Sequence, residues 1–359
     1  MKVILNNSQF FHQRFGGVTR YSINLVEKMI NNQIDFQICA PIYKNNYIKK
    51  IEKKYIFGFH FSKYPNFLVL RYLNNIITNF YLKNKNKKLI HFMYDPEYIK
   101  KNISQKKIIT IHDTIHEKYE KSYNNNFYSR RREMLKQMDK IICVSNNTKK
   151  DLIEYYDIEK NKINVIYNGA DHLNSLLSKE PKDIKYDKPY ILYVGSRGKY
   201  KNFRLFIESY KKSKKIFSDF NVICFGGGSF SKDEINFFRK LDVLKNVSSV
   251  LGDDLMLKSY YKNASLFIYP SLYEGFGISI LEAMNLECPT LVSDIPVFRE
   301  ILENKTSFFD PKNQEDLIFS MEKILFDNEN KKKLISTGSK IAEKYTWTKC
   351  YNETINLYN

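Results

Sequence analysis

At 359 residues the chain exceeds the roughly 250–300 at which a single core stops growing, so two domains are expected, and 43% hydrophobic with 15% aromatic content argues against disorder. A formal charge of +19 invites nucleic acid, an anionic membrane surface or phosphorylated substrates, although lysine, asparagine and isoleucine are abundant throughout and compositional bias competes with each of these readings. Without an arginine-rich tract, zinc-ligand spacing or RNP-like aromatic motif, nucleic acid is disfavoured.

The chain opens with "MKVILNN", too short an apolar run for a signal sequence, and nowhere do about 18 uncharged apolar residues run together. Of the five cysteines, Cys39, Cys143 and Cys224 fall in strand-like runs, while Cys288 and Cys350 are scattered elsewhere. Buried free thiols in a reducing, cytoplasmic compartment are the expectation.

Taken in chain order, a strand at 2–5 leads through a glycine loop to a helix from about Val18, where Tyr21, Leu25 and Met29 recur every four residues on one face. Further strands are predicted at 35–40, 88–92, 107–113, 140–145 and 163–169. Several are apolar throughout, as strands covered by helices on both sides must be. Between them, 44–88 is a mixture of lysine, asparagine and aromatics, read either as a core helix with solvated lysines or as a surface for an anionic membrane carrying a lipid-linked acceptor. The charged stretch 173–189 contains two prolines and reads as a linker.

The rhythm then restarts with strands at 190–196, 221–228, 248–252, 264–271 and 289–294, separated by helices near 202–214, 231–240, 254–263 and from 278. The predicted organisation is an N-terminal Rossmann-like domain at 1–172, a linker at 173–189, a second Rossmann-like domain at 190–335, and a helical segment at 336–359 that returns toward the first and holds the sole tryptophan, Trp347. Alternating strands and helices imply an α/β fold of two doubly wound parallel sheets, with ligands beyond the carboxyl ends of the strands and a cleft between the domains as the expected site.

The stretch "YPSLYEGFGISILEAMNLECPTLVSDIP" places Glu274 and Glu282 eight positions apart in an otherwise nearly uncharged, apolar segment. Either could be a solvated surface charge. Yet Gly275 and Gly277, flanking Phe276, let backbone approach a ligand, and the helix beginning at Ile278 and Ser279 directs unsatisfied N–H groups toward it, an arrangement suited to a diphosphate. Carboxylates accept hydrogen bonds, which suits the hydroxyls flanking the diphosphate of a nucleotide sugar.

"YVGSRGKYKNF" follows a strand end with Arg197 and Lys201. Arginine accounts for only about ten of the 58 basic residues, so an arginine there suggests bidentate phosphate recognition rather than a solvated loop charge. "FHQRFGGVTRY" sets Gly16 and Gly17 between the first strand and first helix, as a close-approach loop or an ordinary turn. "TIHDTIHEKY" puts His112 and Asp113 just past a strand, where a functional pair and a structural histidine are both plausible. "CFGGGSF" lacks the G-x-G-x-x-G register, and Gly227 in it reads as part of a loop near a base or ribose. A D-x-D pair is absent and no His/Cys/Glu cluster has ligand spacing, so no metal or cofactor is expected.

Together these residues resemble the E-x7-E signature of retaining glycosyltransferases of family 4, which have the GT-B fold of two Rossmann-like domains. The likeness continues through "VGSRGKYKNF", "VIYNGA", "CVSNNTKKDL", "TIHDT" and "GGVTRY", nearly the whole chain. The resemblance implies Arg197 and Lys201 on the donor diphosphate, Glu282 on the ribose, and Glu274 with Gly275, Phe276 and Gly277 on the transferred sugar. His112 would lie beside sugar and acceptor, and Gly16 or Gly17 would face the diphosphate. Arginine and lysine are unusually close here, leaving Lys199 open as an alternative to Lys201. The form of this motif is most similar to bacterial polysaccharide enzymes that use GDP-mannose, with a UDP-hexose as the other donor. Rival expectations are an epimerase or phosphorylase on the same fold, or a basic polynucleotide-binding protein.

Overall fold

The computed structural model describes residues 2–83, 89–96, 105–119, 125–176 and 187–359. The chain divides into two compact units, one formed by Met1–Gly169 with Trp347–Asn359 and the other by Ala170–Thr346. Of the expected linker, 177–186 lie outside the described residues, and 173–176 belong to a short 3-10 helix, Asp171–Leu176. The segment expected to turn back at 336 is divided: the helix Asn328–Ala342 still belongs to the second unit, and the chain rejoins the first only at Trp347.

The first unit is built on seven parallel strands, β1 (Val3–Asn6), β2 (Phe36–Tyr43), β3 (Ile56–His60), β4 (Leu89–Phe92), β5 (Lys107–Ile111), β6 (Lys140–Cys143) and β7 (Ile163–Val165), in the order β3-β2-β1-β4-β5-β6-β7. Every residue of β1 and β4 is buried, as their largely apolar runs require, and Ile4, Ile90, Ile109 and Ile141 from four adjacent strands join one core. The returning helix Trp347–Tyr358 packs in the same unit against the helix Gly17–Asn31. Trp347 is 1% exposed beside Tyr21, and the Tyr358 hydroxyl lies 2.7 Å from His91 Nδ1.

The second unit carries six parallel strands, β8 (Tyr190–Val194), β9 (Asn221–Phe225), β10 (Val247–Val250), β11 (Leu266–Tyr269), β12 (Thr290–Ser293) and β13 (Ser307–Phe309), ordered β10-β9-β8-β11-β12-β13. In both sheets the chain runs outward in two directions from a central pair, β1/β4 and β8/β11. That reversal opens a crevice beyond the strand ends, the place where open α/β sheets bind ligands. All five cysteines are buried and free, as the strand-like runs suggested. Among the described residues no helix is long and apolar enough to cross a membrane.

Candidate active site

The β8/β11 switch point gathers the two most informative motifs. After the apolar strand β8, Gly195 takes φ +116° and a 3-10 turn spans Lys199–Lys201. Asn202, left-handed at φ 55°, then opens the helix Phe203–Lys212 and donates from its side chain to the Pro311 carbonyl at 2.8 Å. The loop after β11 docks alongside, with the Leu272 amide donating to the Tyr200 carbonyl at 2.7 Å.

These anchors bring Lys201 and Glu274 together. Lys201 Nζ donates to Glu274 Oε1 at 2.5 Å and to the Tyr269 hydroxyl at 3.2 Å, and it lies 5.2 Å from the centroids of both the Tyr200 and Tyr269 rings. The two charged side chains are only 13% and 10% exposed. Burial disfavours the ammonium, but the Glu274 carboxylate together with the Tyr269 and Tyr200 side chains outweighs that cost and holds the Lys201 pKa well above the ordinary value. Lys201 is therefore a fixed cation, with two of its three N–H groups directed at Glu274 and Tyr269. Lys199, the alternative partner, is exposed.

Gly277 adopts φ +101°, and a Cβ there would lie 2.9 Å from Phe298 Cε1, so both conformation and space demand glycine. It precedes the helix Ile278–Asn285, which has no side-chain cap. The first-turn amides at Ile278 and Ser279 thus stand at a helix end carrying partial positive charge, next to the Lys201–Glu274 loop. Ser271, on that loop, has a buried hydroxyl with no partner among the described residues.

Glu282, within this helix, is 3% exposed. It accepts from the Tyr261 hydroxyl at 3.1 Å and lies 3.2 Å from His172 Nε2. The E-x7-E spacing therefore does not put both carboxylates on one partner: Glu274 meets Lys201, and Glu282 meets His172 and Tyr261.

Arg197 is held elsewhere. Its Nε donates to Glu234 Oε1 at 2.5 Å, Nη1 to the Gly226 carbonyl at 3.2 Å, and Nη2 to the carbonyls of Gly228 and Ser229 at 3.1 and 3.2 Å. Gly226, Gly227 and Gly228 all have positive φ, and a Cβ on Gly227 would sit 2.4 Å from the Gly195 carbonyl oxygen. The triple glycine thus wraps the guanidinium. Sequence reasoning missed Glu234, though the capping box it forms with Ser231 is legible as S-x-x-E. His172, Tyr261 and Tyr269 were also missed; none carries a motif of its own.

In the first unit, His112 follows β5 and donates from Nε2 to the Met93 carbonyl at 2.9 Å, a carbonyl being able only to accept. Burial holds its pKa below the usual value against the opposing pull of that carbonyl and Asp113, so the ring is neutral with its lone pair on Nδ1. Asp113 accepts the Ile115 amide at 3.1 Å, and its backbone carbonyl accepts from Arg131 at 3.3 Å. Arg131, also missed, is 7% exposed and pairs with Glu117 and, at 2.8 Å, with Asp95. It ties the His112–Asp113 loop to its neighbours. Gly16 is extended at φ 171° and precedes the helix Gly17–Asn31, while a Cβ on Gly17 would meet nothing within 4 Å.

The chain matches the family models for glycosyl transferases group 1 over residues 176–341 and for Glycosyltransferase Family 4 over residues 15–172. The O-antigen chain mannosyltransferase RfbU of Salmonella typhimurium is 27% identical over 329 residues, covering 83% of this chain and 84% of that protein. A glycosyltransferase from Rickettsia africae shares the fold with a TM-score of 0.71 at 19% identity, over 99% of this chain and 97% of that one. Anabaena HepE, solved with UDP and glucose, gives 0.73 at 14% identity over 99% and 98%. With two parallel-sheet units and family matches that follow one another along nearly its full length, the chain belongs to the GT-B glycosyltransferases of the family 4 type.

Proposed function

We propose that the enzyme transfers a hexose, mannose foremost, from a nucleotide-diphosphate sugar to a glycan or lipid-linked acceptor, with retention at the anomeric carbon, in bacterial-type cell-surface polysaccharide synthesis. The observation that carries this reading is the buried Lys201–Glu274 pair beside an uncapped helix end at the β8/β11 switch point. RfbU, a mannosyltransferase by name, supports mannose as the transferred sugar, and GDP-mannose is the donor proposed to carry it. HepE's complex with UDP and glucose supports a UDP-hexose.

In the proposed reaction the bond between the anomeric carbon and the phosphate oxygen breaks and its electron pair stays on the diphosphate. Lys201 and the amides of Ile278 and Ser279 stabilise that developing charge in place of a metal. The acceptor hydroxyl attacks from the face the leaving group departs, and its proton passes to the released phosphate oxygen. Glu274, with the backbone of Gly275, Phe276 and Gly277, orients the sugar hydroxyls, and Glu282 the ribose. Arg197 acts through the glycine loop around Gly227. His112 and Asp113 serve the sugar and acceptor, and Gly16 and Gly17 the diphosphate. The enzyme is proposed to work in the cytoplasm at the inner face of the membrane.

A thermal-shift panel of GDP-mannose, UDP-hexoses and ADP-glucose tests the donor. A true donor at 100 times its Kd adds about 2.7 kcal/mol of stability. The shift should vanish in Lys201→Met, and EDTA should leave turnover unchanged. No response to any nucleotide sugar, sugar interconversion without acceptor, or release of a sugar phosphate would each overturn the reading.

A further inference from the structure

The helix Phe67–Lys83 is built inside out. Its last turn sets Tyr81 and Leu82 into the core, but before that its inward side is polar: Asn74 Oδ1 accepts the Ile42 amide of β2 at 2.9 Å, and buried Asn79 donates to the Asn75 carbonyl at 2.8 Å. Its outward side is apolar, with Leu68, Tyr72, Ile76 and Phe80 at four-residue spacing and 71%, 68%, 47% and 70% exposed. Val69, Leu73 and Ile77 are exposed beside them. A surface helix of a water-soluble protein has the opposite arrangement, and a contiguous exposed apolar stripe marks an interaction site. The helix is firmly seated nonetheless. Phe67 packs 5.4 Å from Phe11, which stacks on Tyr64 at 4.5 Å, and the Tyr64 hydroxyl donates to the Phe11 carbonyl at 2.9 Å.

Charge indicates what covers the stripe. Between residues 44 and 83 the only acidic side chain is Glu52, whereas Lys49, Lys50, Lys53, Lys54, Lys63 and Arg71 are all exposed. A second copy docking through the same face would bring one positive segment against its twin. Anionic lipid headgroups complement it. Exposed Phe59 on the edge strand β3 and Phe61 just after it add apolar groups of the kind that settle at a headgroup boundary. The 17-residue helix is not long and apolar enough to cross a bilayer, which leaves the interfacial plane.

We infer that the outward face of Phe67–Lys83 is a docking surface for an anionic lipid bilayer, holding the enzyme by apolar insertion assisted by the exposed lysines that precede it in the chain. This deepens the lipid-linked acceptor reading and rests on it only for the reason the enzyme should sit there. The test is flotation of the full chain with vesicles of phosphatidylcholine alone or mixed with phosphatidylglycerol, comparing wild type with Leu68→Gln/Tyr72→Gln/Ile76→Gln/Phe80→Gln. The wild type should float with the anionic vesicles, less with the neutral ones, and keep part of its binding in high salt. The variant should partition at least about tenfold more weakly, since one such side chain's burial is worth roughly that factor. It should melt as the wild type does, because the replaced groups are exposed.

Turnover with a water-soluble acceptor, measured on the same preparations, should be unchanged, which separates failure of docking from failure of the transferase. The inference is overturned if the wild type stays at the bottom of the gradient, if the variant floats equally well, or if the wild type is a dimer that the variant splits.

Discussion

Removing the Lys201 charge should damage stability and catalysis by separable routes. Lys201→Met leaves Glu274, a side chain only 10% exposed, without its cation. Breaking one side of a buried pair typically costs about 3–5 kcal/mol. In the proposed mechanism the same change removes one preorganised donor to the departing diphosphate, worth roughly 2.7–4 kcal/mol, or 10²–10³ in kcat. In Lys201→Met/Glu274→Gln no charge is stranded, so most of the lost stability should return while transfer stays down by at least the same factor. Trp347, the sole tryptophan, belongs to the first unit, so fluorescence would miss this event. Hydrogen exchange of the β8 and β11 amides reports the second unit directly, with nucleotide release giving the rate. A Lys201→Met protein as stable as wild type, or a double variant that recovers transfer, would refute the reasoning.

Gly277→Ala should destabilise the second unit by about 1–3 kcal/mol, because φ +101° and the nearby Phe298 ring both oppose a Cβ; it should also weaken donor binding in the thermal-shift panel, and an unchanged response would discount the helix end. His91 is neutral when folded, its pKa pushed down to about 3 by burial and then by His112, whereas an unfolded imidazole titrates near 6.5. The unfolded chain binds the extra proton between those values, so stability present above pH ~6.5 is lost as pH falls, by about 1.4 kcal/mol per unit. Trp347-monitored melts at pH 7 and 5 should show the wild type losing roughly 2 kcal/mol more than His91→Gln; parallel losses would reject the assignment. Trp347→Ala, emptying a site 1% exposed, should cost the first unit about 3–5 kcal/mol in urea melts followed by circular dichroism. Full stability would show that the returning helix is dispensable.

Much of the fold was legible because strands buried on both faces are apolar throughout: β4, β5, β6, β8, β9, β11 and β12 all lie within the runs that announced them. Two of the four edge strands, β3 and β13, were not. β3 is half exposed and interrupted by Gly58, and β13 has three residues, so neither makes a run that stands out from its surroundings. In the helix Phe67–Lys83 the apolar period could be read, but period carries no phase: whether the stripe faces the core or the solvent depends on what β2 offers beneath it. Lys201 and Glu274 were found because glycine loops and strand ends are local signals. The engagement of Arg197 was hidden because Glu234 and the glycine-loop carbonyls that take up its donors lie some thirty residues away along the chain.

The route of the chain sets an order of assembly. The Ala170 amide donates to the Tyr345 carbonyl at 2.9 Å, so the second unit's entry and exit are stitched to each other. That unit is in effect an insertion within the first, able to close as soon as its own residues have been synthesised. The first must wait until Trp347–Tyr358 emerge from the ribosome, with Tyr21 and His91 lacking their last neighbours until then. A nascent chain stalled before Trp347 would hold a finished second unit joined to an open first one that chaperones would be expected to recognise.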